Sequence, residues 1–271
     1  MKGTKSARQP EEESLRERVV VITGASSPVG RGGAVAFARA GAKVVLAARR
    51  GEVLHEVVEA CEAEGADAVG IELDMADEAE ISELAQTAIE RFGRIDVWIN
   101  NAGAGAIGRF DAIPLEDHVQ AVETTLFGAM YGSYVALRQF RHQRRGILIN
   151  VASVAGKVAA PFYASYVAAK HGVVGLSAAL RLELEQEPEE NRGIRVCTLL
   201  PDVHDTPLFR HAADFGGQEV GSPPAGGVPT EVVEALLELA RAPRDEMTVR
   251  SPGKIAVATQ ISAELQSQPP A

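Results

Sequence analysis

Four apolar residues, Val19-Val20-Val21-Ile22, run directly into the small-residue turn Thr23-Gly24-Ala25-Ser26-Ser27-Pro28-Val29-Gly30, and an Ala/Val/Phe helical pattern begins near Gly30. The sequence thus opens with a strand that becomes a helix through a tight turn. The alternation recurs, with further strands expected at 43–47, 68–73, 95–99, 146–151, 194–200 and 247–250. Helices are expected between them at 52–64, 78–92, 116–140, 163–187 and 231–240. Strands that alternate with helices pair in parallel through right-handed crossovers. The expected fold is α/β, a doubly wound parallel sheet of about seven strands flanked by helices, with ligands bound beyond the carboxyl ends of the strands.

Hydrophobic residues make up 46% of the 271 and charged ones 24%, enough for one buried core, and no interior stretch reads as a linker between domains. A single domain is expected over 17–250. Residues 1–16, with Glu11-Glu12-Glu13, read as a loose tail, and 251–271 as a second tail holding one short helix around 255–265. The stretch 201–229 breaks the rhythm with ten prolines and glycines. Long irregular segments inside a domain are commonly lids, and Leu208, Phe209 and Phe215 give this one apolar side chains to lay over a ligand.

A net charge of −10 argues against a nucleic-acid partner, which needs a basic patch or stripe. The basic cluster Arg138, Arg141, Arg144 and Arg145 falls at the expected end of a long helix, where cations complement the dipole, and reads as a solvated helix end. No apolar run approaches the roughly 20 residues that span a bilayer and no secretory segment follows Met1, so no membrane partner is expected. Cys61 and Cys197 lack framework spacing, which fits a reducing cytoplasm. The six histidines, His204 and His211 in the lid region among them, form no metal-ligand pair, so no metal is expected. No Gly-x-Ser-x-Gly elbow surrounds any serine, which argues against a hydrolase.

The turn after the first strand suits a pyrophosphate: small residues admit its close approach, and the helix N-terminus offers N–H donors and a positive dipole end. After the second strand stand Ala48 and Arg49. An acid in this place would read the ribose 2′-hydroxyl of NAD, whereas an arginine accommodates the 2′-phosphate of NADP. Further on, Tyr166 and Lys170 are one helical turn apart, thirteen positions or more beyond Ser153. Residues i and i+4 share a helix face, so a phenol sits beside an ammonium that favours its ionised form.

Over 17–250 the chain resembles the short-chain dehydrogenase/reductase superfamily, a Rossmann-type fold. The resemblance rests on the turn at 23–30, on Asp74, on Asn100-Asn101-Ala102-Gly103, and on Ser153, Tyr166 and Lys170. It implies an NADP(H) site built from Gly24, Ser26, Ser27, Val29, Gly30, Arg49, Asp74, Asn101, Ala102, Gly103, Tyr166, Lys170, Pro201 and Thr206. Within that set Asp74 would contact the adenine and Thr206 the nicotinamide carboxamide. It also implies hydride transfer between the nicotinamide and a carbonyl or secondary alcohol. Tyr166 would donate the proton, Ser153 would hydrogen-bond the oxygen, and Lys170 would lower the phenol pKa and hold the ribose.

Three positions depart from the family pattern. Pro28 replaces a glycine of the turn, which the first turn of a helix tolerates. Thr125 replaces an asparagine that in the family holds a water leading to Lys170, and is the fourth catalytic candidate because its hydroxyl can still bind water. Asp202 replaces a glycine beside the nicotinamide. These departures motivate an alternative, a dinucleotide-binding sensor or scaffold with little turnover; a methyltransferase would require neither Arg49 nor the Tyr-Lys pair. The loop 154–162 is apolar apart from Lys157 and favours a hydrophobic small-molecule substrate. Small residues on the second long helix, among them Ala168, Ala169, Gly172, Gly175 and Ala178, permit close helix approach, and the family's pairing of these helices implies a homodimer or homotetramer.

Overall fold

The computed structural model describes residues 14–202, 213–214 and 229–250. β1 (Val19–Thr23) leads into α1 (Pro28–Arg39), followed by β2 (Lys43–Ala48), α2 (Gly51–Ala63), β3 (Ala68–Glu72), α3 (Glu78–Phe92) and β4 (Val97–Asn100). After the short β5 (Ala106–Ile107) come α4 (Leu115–Val122), a π-helical turn (Glu123–Phe127), α5 (Gly128–Gln143) and β6 (Arg145–Val151). The chain continues through α6 (Ala164–Glu185), β7 (Gly193–Pro201), the short β8 (Ala213–Asp214), α7 (Thr230–Arg241) and β9 (Glu246–Val249).

Seven strands form one parallel sheet in the order β3-β2-β1-β4-β6-β7-β9. The order reverses between β1 and β4. The loops leaving these two neighbours therefore diverge to opposite sides and open a crevice at the carboxyl edge. β1 is buried along its whole length, as a strand covered on both faces must be. Its alternate residues serve different layers: Val20 and Ile22 pack with Phe37 of α1, Leu54 of α2 and Leu236 of α7, while Val19 and Val21 pack with Ile81 and Leu84 of α3 and Phe140 of α5.

The helix ends follow local chemistry. The Ser27 hydroxyl caps α1 by accepting from the Gly30 N–H at 3.1 Å, which puts Pro28 at the first helical position, where its missing N–H needs no partner. Asp77 caps α3 by accepting from Ala79 and Glu80, and Gly93 ends it at φ 77°.

Several features differ from the expectations. The long helix expected over 116–140 is divided by the π turn, and β5 pairs in parallel with β8 as a separate two-stranded ladder. Leu15, within the stretch read as a tail, is buried in the core at 2% exposure. The basic helix end is exposed, and two of its arginines also find carboxylates: Arg141 pairs with Glu187 and Arg144 with Glu190. Cys61 and Cys197 are buried free thiols, each pushed up to about 11 by burial. Apart from β8, most of the expected lid, with His204, Thr206 and His211, lies outside the described residues, as does the expected short helix at 255–265.

Candidate active site

At the crevice the loops after β1 and β4 are tied to each other. Thr23 Oγ1 accepts from the Asn101 and Ala102 N–H groups at 3.1 and 3.2 Å, and the Asn101 amide donates to Thr23 O, Gly24 O and Ser27 Oγ. The approach is so close that only glycine fits. A Cβ on Gly24, whose φ is +64°, would lie 2.7 Å from Ala102 Cα, and one on Gly30 would lie 2.2 Å from the Gly24 oxygen. Ser26, Ser27 and Val29 are half-buried along the turn. The N-terminus of α1 therefore opens onto the crevice with nothing bulky before it, a donor-rich end suited to phosphate.

The two arginines after β2 behave differently. Arg50 is bound back onto the turn, donating to Ser26 O at 2.7 Å and to Ser26 Oγ at 3.2 Å. Arg49 is exposed and borders a cleft of about 150 Å³ with Ala104, Gly105 and Ala106. Asp74, just beyond β3, accepts from the Ala76 N–H at 3.0 Å, and its own N–H donates to Glu80. Sequence reasoning did not foresee that Thr23 ties the two loops together or that Arg50 is bound to Ser26, because each acts on a segment that only folding brings near.

Ser153, Tyr166 and Lys170 converge beyond the ends of β6 and β7. Ser153 is extended at the head of a 3₁₀ turn (Val154–Gly156); its Oγ accepts from Ala155 N–H at 3.1 Å and donates to Pro201 O at 3.4 Å. It also hydrogen-bonds the Tyr166 phenol. Lys170, 4% exposed, donates to Val151 O at 2.8 Å, and its Nζ lies 5.7 Å from the centre of the Tyr166 ring.

Burial dominates the electrostatics. The phenol is pushed up to about 12 by burial, against the lowering effect of the Ser153 hydrogen bond, and burial brings the Lys170 ammonium down to about 8. The expected lowering of the phenol by Lys170 is therefore absent from the protein alone.

Thr125 lies in the π turn with 1% exposure. Its hydroxyl accepts from the Ala104 N–H at 3.0 Å and donates to the Ala104 oxygen at 3.1 Å, fastening the loop after β4 to the helix. Gly103 sits between it and the lysine: a Cβ there would lie 3.5 Å from Thr125 Oγ1 and 3.7 Å from Lys170 Nζ. Beneath the site, Trp98 Nε1 donates to Asn100, Asn100 to Asn150, and Asn150 to Ser177 of α6, a buried chain of side-chain hydrogen bonds joining β4, β6 and the helix that carries Tyr166. Asp202 continues the sheet edge, its N–H bonded to Val249 O at 2.8 Å.

On the open side, Val158 and Phe162 are exposed, and Phe162 is held at φ 67° with its carbonyl accepting from Gly108 N–H at 3.1 Å. Lys157 pairs with Glu246 at 2.8 Å, so the one cation of the apolar loop is neutralised. Among the described residues no group of His, Cys, Asp and Glu could hold a metal, and no helix is long and apolar enough to cross a membrane.

A doubly wound sheet with a serine, a tyrosine and a lysine gathered at its carboxyl edge is the framework of a dinucleotide-dependent oxidoreductase. The chain belongs to the short chain dehydrogenase family, whose profile matches residues 18–215. It is 34% identical to the uncharacterized oxidoreductase YxnA of Bacillus subtilis over 244 residues, covering 89% of this chain and 68% of that protein. It is 32% identical to dehydrogenase/reductase SDR family member 7B of Bos taurus, covering 82% and 70% of the two chains. Among solved structures, a short chain dehydrogenase/reductase from Burkholderia phymatum in complex with NAD superposes with a TM-score of 0.76 at 25% identity, over 94% of this chain and 93% of that one. An alcohol dehydrogenase from Thermococcus sibiricus complexed with 5-hydroxy-NADP gives 0.75 at 25% identity, over 89% and 99%.

Proposed function

We propose that the protein is an NADP(H)-dependent oxidoreductase that interconverts a ketone or aldehyde with its alcohol on a hydrophobic small molecule. The observation that carries this reading is the convergence of Ser153, Tyr166 and Lys170 beside a crevice whose glycines leave room for a dinucleotide. The residues fit such a cofactor. The turn from Gly24 through Ser26, Ser27, Val29 and Gly30 would receive the pyrophosphate, and Arg49 the 2′-phosphate. Asp74 would face the adenine, with Asn101, Ala102 and Gly103 along the middle, Tyr166 and Lys170 at the ribose, and Pro201 and Thr206 at the nicotinamide end. When bound, the nicotinamide supplies or accepts the hydride.

In the reducing direction negative charge grows on the substrate oxygen. Tyr166 gives that oxygen its phenolic proton while the Ser153 hydroxyl donates a second hydrogen bond. A phenol near 12 arrives fully protonated. The phenolate it leaves is stabilised by Lys170, which is cationic below about 8. Thr125 spends its proton and one lone pair on Ala104, and its second lone pair is available to a water on the lysine side.

Val158 and Phe162 offer the substrate an apolar rim. Leu115, Val119, Phe127, Met130 and Tyr134 are exposed along α4, the π turn and α5, and Ala168 and Gly175 along α6; exposed apolar side chains on these helices support assembly as a homodimer or homotetramer. The reading is tested with a panel of hydrophobic ketones and aldehydes, following NADPH absorbance. Turnover of at least one class is expected. Tight NADPH binding with every carbonyl left unreduced would instead favour the sensor.

A further inference from the structure

The cleft beside Arg49 has a second charged lining residue. Asp117 and Gln120, from the first and second turns of α4, line it together with Arg49, Ala104, Gly105 and Ala106. Arg49 and Asp117 line the same space of about 150 Å³, yet among the described residues neither side chain forms an ion pair or a hydrogen bond. Several exposed arginines elsewhere do take carboxylates, as Arg31 takes Glu56, Arg39 takes Glu64 and Arg91 takes Asp67. A guanidinium and a carboxylate that line one cleft without pairing leave each other open to a ligand group.

We propose that Asp117 sets the limit on NADP(H) preference: it is a specificity-determining acid that opposes the group bound by Arg49. The inference rests on the assignment of the 2′-phosphate to Arg49. A phosphate drawn to that guanidinium enters a cleft that the Asp117 carboxylate also lines, and like charges sharing so small a space repel appreciably at the effective dielectric of a protein surface. The ribose 2′-hydroxyl of NAD(H) carries no charge and meets no such opposition. Asp117 therefore weakens NADP(H) selectively and leaves NAD(H) a usable second cofactor. Gln120 is neutral and donates to Thr124 at 2.9 Å, so Asp117 is the one anion among the described lining residues.

The test is direct binding of NADPH and of NADH to the intact protein, read by cofactor fluorescence, for the unmodified chain and for Asp117→Asn, Asp117→Glu and Arg49→Ala. Asp117→Asn keeps the shape and removes the charge. It is expected to tighten NADPH by about 3- to 10-fold and NADH by less than about 2-fold. Asp117→Glu keeps the charge and is expected to hold the original ratio of affinities. If Asp117→Asn leaves the ratio unchanged, or tightens both cofactors equally, the proposal is overturned. A ratio that Arg49→Ala leaves untouched would show instead that the 2′-phosphate assignment itself fails. The two failures are thus distinguishable, and neither readout requires a substrate.

Discussion

The Lys170 ammonium lies 5.7 Å from the centre of the Tyr166 ring and is anchored by a 2.8 Å hydrogen bond to Val151 O at the end of β6. The lysine is thereby positioned by the sheet, while the tyrosine is positioned by Ser153 and the turn of α6 beneath it. The two can be perturbed separately.

Tyr166→Phe removes one oxygen and leaves the ring in its buried place. Turnover of any authenticated carbonyl substrate should fall by about 10²- to 10⁴-fold, the usual contribution of a general acid. NADPH affinity should stay within about 2-fold. Steady-state rates and a fluorescence titration on one preparation check both halves, and an undiminished rate would remove Tyr166 from the chemistry.

Lys170→Met should stabilise the fold at neutral pH. The folded-state value of about 8 lies below the ordinary 10.5, so the buried ammonium opposes folding wherever it stays protonated. At roughly 1.4 kcal/mol per unit, less about 1 kcal/mol for the lost hydrogen bond to Val151, the gain should be about 2 kcal/mol. As pH rises from 8 to 10.5 the folded protein releases this proton before the unfolded chain does, the unmodified protein recovers stability, and the difference closes. Tyr166, raised from 10 to about 12, gives the opposite slope above pH 10 in both proteins. Urea unfolding at pH 7 and 10 measures the effect; a Met variant less stable at pH 7 would contradict it.

Arg49→Ala should reduce the preference for NADPH over NADH by about 10- to 150-fold, corresponding to a charge-assisted hydrogen bond of about 1.5–3 kcal/mol. Arg50→Ala should act differently, weakening both cofactors together, because Arg50 supports the turn at Ser26. Paired titrations of the two variants separate these roles.

Thr125→Val retains the shape of the side chain and strips Ala104 of both partners. Leaving these part-buried backbone groups unpaired should cost about 1 kcal/mol in stability, and Thr125→Ser should restore most of it. Denaturation midpoints of the three proteins decide the matter.

Replacing Met130 and Tyr134 together by aspartate places two charges on the exposed face of α5. Light scattering across micromolar concentrations should show a dimer or tetramer for the unmodified chain and a monomer for the double variant. An unmodified chain that is already monomeric would rule the assembly out.

The sheet was readable from the sequence because strand periodicity and glycine punctuation are local signals. Val19 to Ile22, the turn and the next helix declare themselves within a dozen residues. The positions of Ser153, Tyr166 and Lys170 were readable for a similar reason, being close in the chain. What could not be read depends on distant partners. Lys157 is neutralised by Glu246, far along the chain, and nothing adjacent signals it. The direction of the Tyr166 shift reflects burial by segments such as Gly105, where a Cβ would lie 3.4 Å from the ring. The neighbours Arg49 and Arg50 look equivalent in sequence, and only the position of Ser26 tells them apart. The π turn over Glu123-Thr124-Thr125-Leu126-Phe127 contains neither glycine nor proline, so the helical pattern passes through it unmarked.

That turn also acts as a phase setter for α4, the helix that runs into it. A π turn accommodates a residue more than the α-helix around it, and one residue corresponds to about 100° of rotation in a helix of 3.6 residues per turn. Deleting a single position from Glu123–Phe127 would let the helix run on without interruption and swing α4 about its axis. Asp117 would leave the Arg49 cleft, and His118, now stacked on Phe110 at 4.4 Å, would turn off that ring. The seven-stranded sheet would have no reason to change. One missing codon could thus separate the fold from the pocket that it carries.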